Sequence, residues 1–337
     1  MKPSLCIDGR WLFSSGIGRA LREILPEIEH AFSITLLVQD APLFEEIQTK
    51  KIVMNRHCFS FKEQYAFAHT IPPCDLFWSV HYNIPLRSIR ARKRIVTIHD
   101  LCPLACPEAF PWYKRLGAHM FLKQAIQRSD LIMTVSKFSK QELYTYLPVR
   151  DKNVQVVLHG EPRLRKPLKE VAKPFILYVG NLKVHKNIRR LMQIVKRLSI
   201  PCVFVGCLFD KTCYERHPRL HFVGEVNDEQ LAWLYRHALM LVQPSLYEGF
   251  GMTTLEAMQM GCPVVASSIP SLIETCADAA YFVDPYDEEA IYQGIQRVHQ
   301  DLSLREQLIH AGYLRAQQFS WKRAGEETVK HFMRLLA

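Results

Sequence analysis

Short apolar runs recur along this 337-residue chain, and the stretches between them carry apolar residues at helical spacing. Runs this short read as strands, and their alternation with helical segments predicts parallel sheets joined by helical crossovers. In the first half the predicted strands are Leu5–Ile7, Ile34–Val38, Leu76–Trp78, Arg94–Ile98 and Leu131–Val135. In the second half they are Phe175–Val179, Cys202–Val205, Leu220–Phe222, Leu239–Val242, Val264–Ala266 and Ala280–Val283. Residues 159–174 lie between the two series with three prolines and no periodic pattern, which reads as an interdomain linker. The length also exceeds a comfortable single core. The chain therefore reads as α/β, with a doubly wound domain over 1–160, a second over 175–320 and a helix over 321–337.

The strand predicted at Leu239–Val242 leads into Pro244-Ser245-Leu246-Tyr247-Glu248-Gly249-Phe250-Gly251-Met252-Thr253-Thr254-Leu255-Glu256-Ala257-Met258. Glu248 falls in the loop and Glu256 in the first turn of the next helix. Gly249 and Gly251 let a ligand approach the backbone closely, and the helix start offers unpaired N–H groups and a positive dipole to a phosphate. Two carboxylates suit sugar hydroxyls. Thr253-Thr254-Leu255-Glu256 is also a capping box, in which the glutamate reaches back to the N-cap amide and needs no ligand.

This segment resembles the Glu-x7-Glu signature of the retaining glycosyltransferases of family four. Further segments are similar to that family's: Cys6-Ile7-Asp8-Gly9-Arg10, Ser15-Gly16-Ile17-Gly18-Arg19, Thr97-Ile98-His99-Asp100, Thr134 to Ser139, and Tyr178-Val179-Gly180-Asn181-Leu182 with Lys186-Asn187. The resemblance implies the GT-B fold, two Rossmann-like doubly wound domains facing across a cleft. It places the acceptor in the first domain and a nucleotide-sugar donor in the second, with the last helix returning to the first.

It also implies roles. Glu248 and the backbone of Gly249, Phe250 and Gly251 hold the donor sugar, with Met252, Thr253 and Thr254 at the helix start beside the phosphates. Glu256 takes the ribose, Lys186 meets the diphosphate near Gly180 and Asn181, and the loop at Val226 receives the base. His99 contacts the donor sugar, and the loop of Gly16 and Gly18 closes over the diphosphate and the acceptor. Glu248, His99 and Lys186 are the catalytic candidates. On the residues alone, Gly16 and Gly18 are equally a tight turn, Asp100 orders the turn after it, and Ser136 and Ser139 fit a plain N-cap as well as an acceptor contact. Asn181 and His185 stand where many relatives place an arginine, which lowers the positive charge expected at the site. The motifs look like those of bacterial transferases that build surface polysaccharide, which makes GDP-mannose the favoured donor and a glycan or lipid-linked molecule the acceptor.

Composition narrows the classes. No Asp-x-Asp motif occurs, and Cys102-x3-Cys106 and Cys202-x4-Cys207-x5-Cys213 match no common zinc spacing, so neither a metal nor a resident cofactor is expected and the cysteines read as free thiols. No apolar run reaches the ~20 residues of a membrane span, and the start reads as a strand, so the expected location is cytoplasmic. The formal charge of +10 is concentrated before residue 161, with Arg87, Arg90, Arg92, Lys93 and Arg94 as the densest cluster. With the basic amphipathic stretch Pro111 to Arg128, this suggests an anionic membrane surface as a partner on the inner face of the cytoplasmic membrane. Helical spacing of Trp112, Leu116, Met120, Phe121 and Ile126 fits core packing equally well. No nucleic-acid motif is present, and no nucleic acid is expected. Two rivals remain on sequence grounds: a GT-B nucleotide-sugar epimerase and a non-catalytic basic protein that binds membrane or nucleic acid.

Overall fold

The computed structural model describes residues 2–12, 15–39, 49–149, 151–160, 174–181, 183–206 and 216–337. Most of the linker read at 159–174, Leu182 and the cysteines at 207 and 213 lie outside the described residues. The chain divides into two compact units, Met1–Gly160 with Ser320–Ala337, and Glu161–Phe319.

The first unit holds a seven-stranded sheet in the order β3-β2-β1-β4-β5-β6-β7. Its strands are β1 (Ser4–Asp8), β2 (Ser33–Val38), β3 (Lys50–Val53), β4 (Cys74–Ser79), β5 (Ala91–Ile98), β6 (Leu131–Thr134) and β7 (Val154–Val156). All neighbours pair in parallel. Helices α1 (Ser15–Ile28), α2 (Phe61–Thr70), α3 (Cys102–Ala105), α4 (Trp112–Arg128) and α5 (Lys137–Tyr146) connect them, and α12 (Trp321–Leu336) packs on α1. The central strands are buried on both faces, which is why they read as unbroken apolar runs. One core layer joins α1, β1, β2, β4 and α12 through Leu21, Ile24, Leu36, Trp78, Trp321 and Phe332.

The second unit repeats the plan with six parallel strands in the order β10-β9-β8-β11-β12-β13. They are β8 (Ile176–Val179), β9 (Cys202–Val205), β10 (Leu220–Gly224), β11 (Met240–Gln243), β12 (Val264–Ser267) and β13 (Tyr281–Val283). Helices α6 (Ile188–Arg197), α7 (Asp228–His237), α8 (Met252–Gln259), α9 (Pro270–Cys276), α10 (Glu288–Gln300) and α11 (Leu302–Ala316) complete it.

Each sheet reverses strand order once, at β1/β4 and at β8/β11. Loops leaving the carboxyl ends of those neighbouring strands diverge to opposite faces and open a crevice, the usual ligand position in such sheets. The basic cluster corrects the sequence reading. Arg92, Lys93 and Arg94 lie inside β5, because the strand starts at Ala91. There Lys93 pairs with Asp130 at 3.2 Å, and the Arg94 guanidinium donates to the Pro85 carbonyl. Burial pushes the Arg94 pKa down to about 10.

Candidate active site

The β8/β11 switch point brings together two residues that lie 62 positions apart. Lys186 ends a 3-10 turn, Val184–Lys186, that follows β8, and Glu248 sits in the loop after β11. Lys186 Nζ donates to Glu248 Oε1 at 2.7 Å. The same oxygen accepts from Gln243 Nε2 at 2.7 Å and Ser245 Oγ at 2.8 Å. Burial would raise the Glu248 pKa, but Lys186 and the other two donors outweigh it and hold the carboxyl below the ordinary glutamate range. Three donors thus fix Oε1, and Oε2 carries no hydrogen bond among the described residues.

Gln243 and Ser245 escaped the sequence reading. Gln243 ends β11, donates to Ser245 Oγ at 3.0 Å and accepts from Thr253 Oγ1 at 3.3 Å, so it ties the start of α8 to the Glu248 loop. A polar residue closing an otherwise apolar strand was the available signal. Asn187, in the left-handed region at φ 58°, locks the other side by donating to the carbonyls of Pro244 at 3.0 Å and Pro285 at 2.7 Å.

The glycine-bearing ends crowd the same edge. Gly180 N–H donates to Val205 O at 2.9 Å, and Gly206 N–H to Gly224 O at 2.8 Å. Gly206 has φ +128°, and a Cβ there would stand 2.1 Å from Gly180 O, so only glycine fits. Asn181 keeps a buried Oδ1 with no hydrogen-bond partner among the described residues, and its carbonyl accepts from the Tyr178 hydroxyl at 3.0 Å. His185 is buried, and desolvation beside Lys186 pushes its pKa down to about 4, so it is neutral at pH 7. Lys186 is thus the cation beside Glu248.

Gly251 is the N-cap of α8 with φ 101°, and Phe250 packs edge-on against Phe319 at 5.7 Å. The helix therefore starts at Met252, before Thr253, and the capping box is not formed. Glu256 lies inside α8, 1% exposed, and Oε2 accepts from Tyr235 Oη at 2.7 Å. The structure thus joins Glu248, Lys186 and Thr253 in one network and ties Glu256 to α7 through Tyr235. Thr254 hydrogen-bonds the Gly251 carbonyl at 2.7 Å, Gly249 precedes Phe250 in the same loop, and half-buried Val226 follows β10.

Gly16, Gly18 and His99 belong to the first unit. Gly18 is needed because a Cβ would stand 2.3 Å from Leu12 O, whereas nothing lies within 4 Å of a Cβ at Gly16. His99 follows β5, its Nε2 lies 3.0 Å from Val80 O, and its ring stacks on His159 at 5.6 Å. Burial lowers its pKa. Asp100 accepts from Cys102 N–H at 3.0 Å, and Ser136 caps α5 by accepting from Ser139 N–H at 2.9 Å. Among the described residues there is no cluster of three or more metal-ligating side chains, and the described cysteines are free thiols.

The family profile described as "Glycosyl transferases group 1" matches residues 160–315, which contain the whole β8/β11 site. The O-antigen chain mannosyltransferase B of Escherichia coli is 32% identical over 269 residues, covering 72% of this chain and 71% of that one. The O-antigen chain mannosyltransferase RfbU of Salmonella typhimurium is 28% identical, covering 67% of this chain and 65% of its own length. Among solved structures, WaaG, a glycosyltransferase involved in lipopolysaccharide biosynthesis, superposes with a TM-score of 0.76 at 16% identity over 98% of this chain and 99% of that one. That likeness establishes the shared GT-B fold. The full set of matches makes the chain a member of the group 1 glycosyl transferases, an enzyme family that transfers sugars.

Proposed function

We propose that the chain moves a hexose, first mannose from GDP-mannose, to a glycan or lipid-linked acceptor with retention of anomeric configuration. The observation that carries this reading is the Lys186–Glu248 pair at the β8/β11 switch point, 2.7 Å apart. The mannosyltransferase names of two relatives support the choice of sugar. In the reaction the bond from C1 to the departing phosphate oxygen breaks as the acceptor oxygen joins C1 on the same face. The acceptor proton passes to that phosphate oxygen, so no protein nucleophile is required. Lys186 stabilises the charge left on the diphosphate, and a charged acceptor at Glu248 gains strength as the sugar ring loses electrons. Glu256 and the Val226 loop serve the nucleoside, and His99 the sugar.

A thermal-shift panel of GDP, UDP, TDP and CMP, followed by mass spectrometry of products from the matching sugar nucleotides, tests the donor. GDP giving the largest shift and a product heavier by one hexose are expected; an isomerised sugar formed without acceptor would overturn transfer in favour of epimerisation. With Lys186 meeting the diphosphate, a chelator should leave turnover intact, and loss restored by manganese would contradict that role.

The acceptor reading extends to the membrane. Helix α4 buries Ala118, Leu122, Ala125 and Ile126 and leaves Trp112 73%, Leu116 64% and Met120 51% exposed at a four-residue spacing, among Lys114, Lys123 and Arg128. No described helix is long and apolar enough to cross a bilayer, so this stripe suits lying in the interface. The chain should sediment with vesicles rich in anionic lipid at low salt, and replacing all three residues with serine should leave it in the supernatant.

A further inference from the structure

Within the first unit, the ends of three strands meet the last helix beside His99. Val80 follows β4, His99 follows β5, His159 lies beyond β7, and Trp321 opens α12. Two contacts hold the His99 ring. Its Nε2 lies 3.0 Å from the Val80 carbonyl, which can only accept, so Nε2 carries the proton. Burial lowers the pKa and keeps the ring neutral, and Nδ1 is left as an acceptor with no hydrogen-bond partner among the described residues. The second contact is a ring stack: the His159 plane lies 10° from that of His99, with centroids 5.6 Å apart.

His159 is itself placed by Trp321. Their rings lie 5.3 Å apart, and both residues are buried. Gly160 passes so close to α12 that a Cβ would stand 2.1 Å from Trp321 N and 2.5 Å from its Cγ, so only glycine fits there. Val157 N–H donates to the Thr134 carbonyl at 2.9 Å and ties the same segment to β6. The Trp321 indole N–H has no hydrogen-bond partner among the described residues, so this residue contributes its ring and not its donor. A cavity of about 40 Å³ opens beside the three rings, lined also by Thr97, Met133 and Leu158. Packing therefore does not fill the space around His99, and one hydrogen bond and one stack are left to fix its orientation.

We propose that His159 and Trp321 are positioning residues for His99, setting the plane and tautomer in which its imidazole meets the donor sugar. The assignment rests on the reading of His99 as a sugar contact. Two measurements test it. In ¹⁵N-resolved spectra of the histidine rings at pH 7, His99 should show the Nε2-protonated tautomer in the wild-type chain and in His159→Phe, which keeps a ring face. His159→Leu, which keeps bulk without that face, should give a mixture of tautomers. By calorimetry, His159→Leu and Trp321→Leu should each weaken GDP-mannose binding about two- to tenfold and leave GDP binding unchanged, because GDP lacks the sugar. In a His99→Ala background neither substitution should weaken GDP-mannose further. Recovery of both readouts in His159→Phe separates ring placement from loss of folding. Equal losses with and without the His99 ring, or a wild-type His99 spectrum in His159→Leu, would overturn the positioning role. A wild-type chain that binds GDP-mannose no tighter than GDP fails the sugar reading, and the ring spectra then still decide the positioning.

Discussion

Glu248 shows how neighbouring donors hold one carboxylate in its charged form. Three donors converge on Oε1, and the carboxyl stays ionised below the ordinary glutamate range. A group with a lowered pKa keeps its charge as pH falls, so the acid limb of kcat set by Glu248 should lie below about pH 4.3, the unperturbed value. A limb centred near pH 6 would contradict this. Gln243→Leu keeps the size but removes two donated bonds, one to a charged oxygen. Steady-state kinetics should show kcat lowered roughly ten- to a hundredfold, in line with the ~1.5–3 kcal/mol of such bonds; unchanged kcat would remove Gln243 from the site. Glu248 stood out in the sequence through the glycines and the strand-to-helix corner around it, and Lys186 only through the resemblance to the family's motif. Gln243 and Ser245 did not stand out, because their role depends on a hydrogen-bond geometry that no spacing encodes. The contact of Lys186 with Glu248 becomes visible only once β8 and β11 are adjacent.

Among elements, the central strands were legible from their apolar runs, whereas β3 and β7 were not. Lys50–Val53 and Val154–Val156 are edge strands of four and three residues, and an edge needs little apolar surface to pair. Helix α8 begins earlier than its capping box suggested because Gly251 takes the left-handed N-cap that a threonine would resist. Helix α4 was legible as amphipathic, but which apolar residues turn outward depends on where β5 and α3 lie. At Gly206 the fold tolerates no side chain. Gly206→Ala should cost about 1–3 kcal/mol, read as a lower urea midpoint, and wild-type stability would mean that the Gly180 loop is not packed as described.

For the molecule as a whole, both units bury neutral histidines. Burial pushes His81 down to about 3 and His185 to about 4, and lowers His99 and His159. In the unfolded chain these rings take up protons near pH 6.5, while in the folded chain they do not until lower pH. Their contribution is therefore present above pH 6.5 and is lost as pH falls toward 4. His185 alone would account for on the order of 2 kcal/mol by pH 5. Urea unfolding at pH 7 and pH 5 should show the midpoint falling for both units, and a flat profile would contradict the burial. Two similar sheets with one switch point each were legible as a class, since repeated alternation of strand and helix leaves few other architectures. The side chains gathered at each switch point came only with the strand order. The account turns on the second of these points holding a sugar donor, and turnover of GDP-mannose by Glu248→Gln beside the wild-type chain tests that most directly. The account predicts a loss of at least ~10²-fold in kcat with GDP affinity retained through Lys186; near-normal turnover would contradict it.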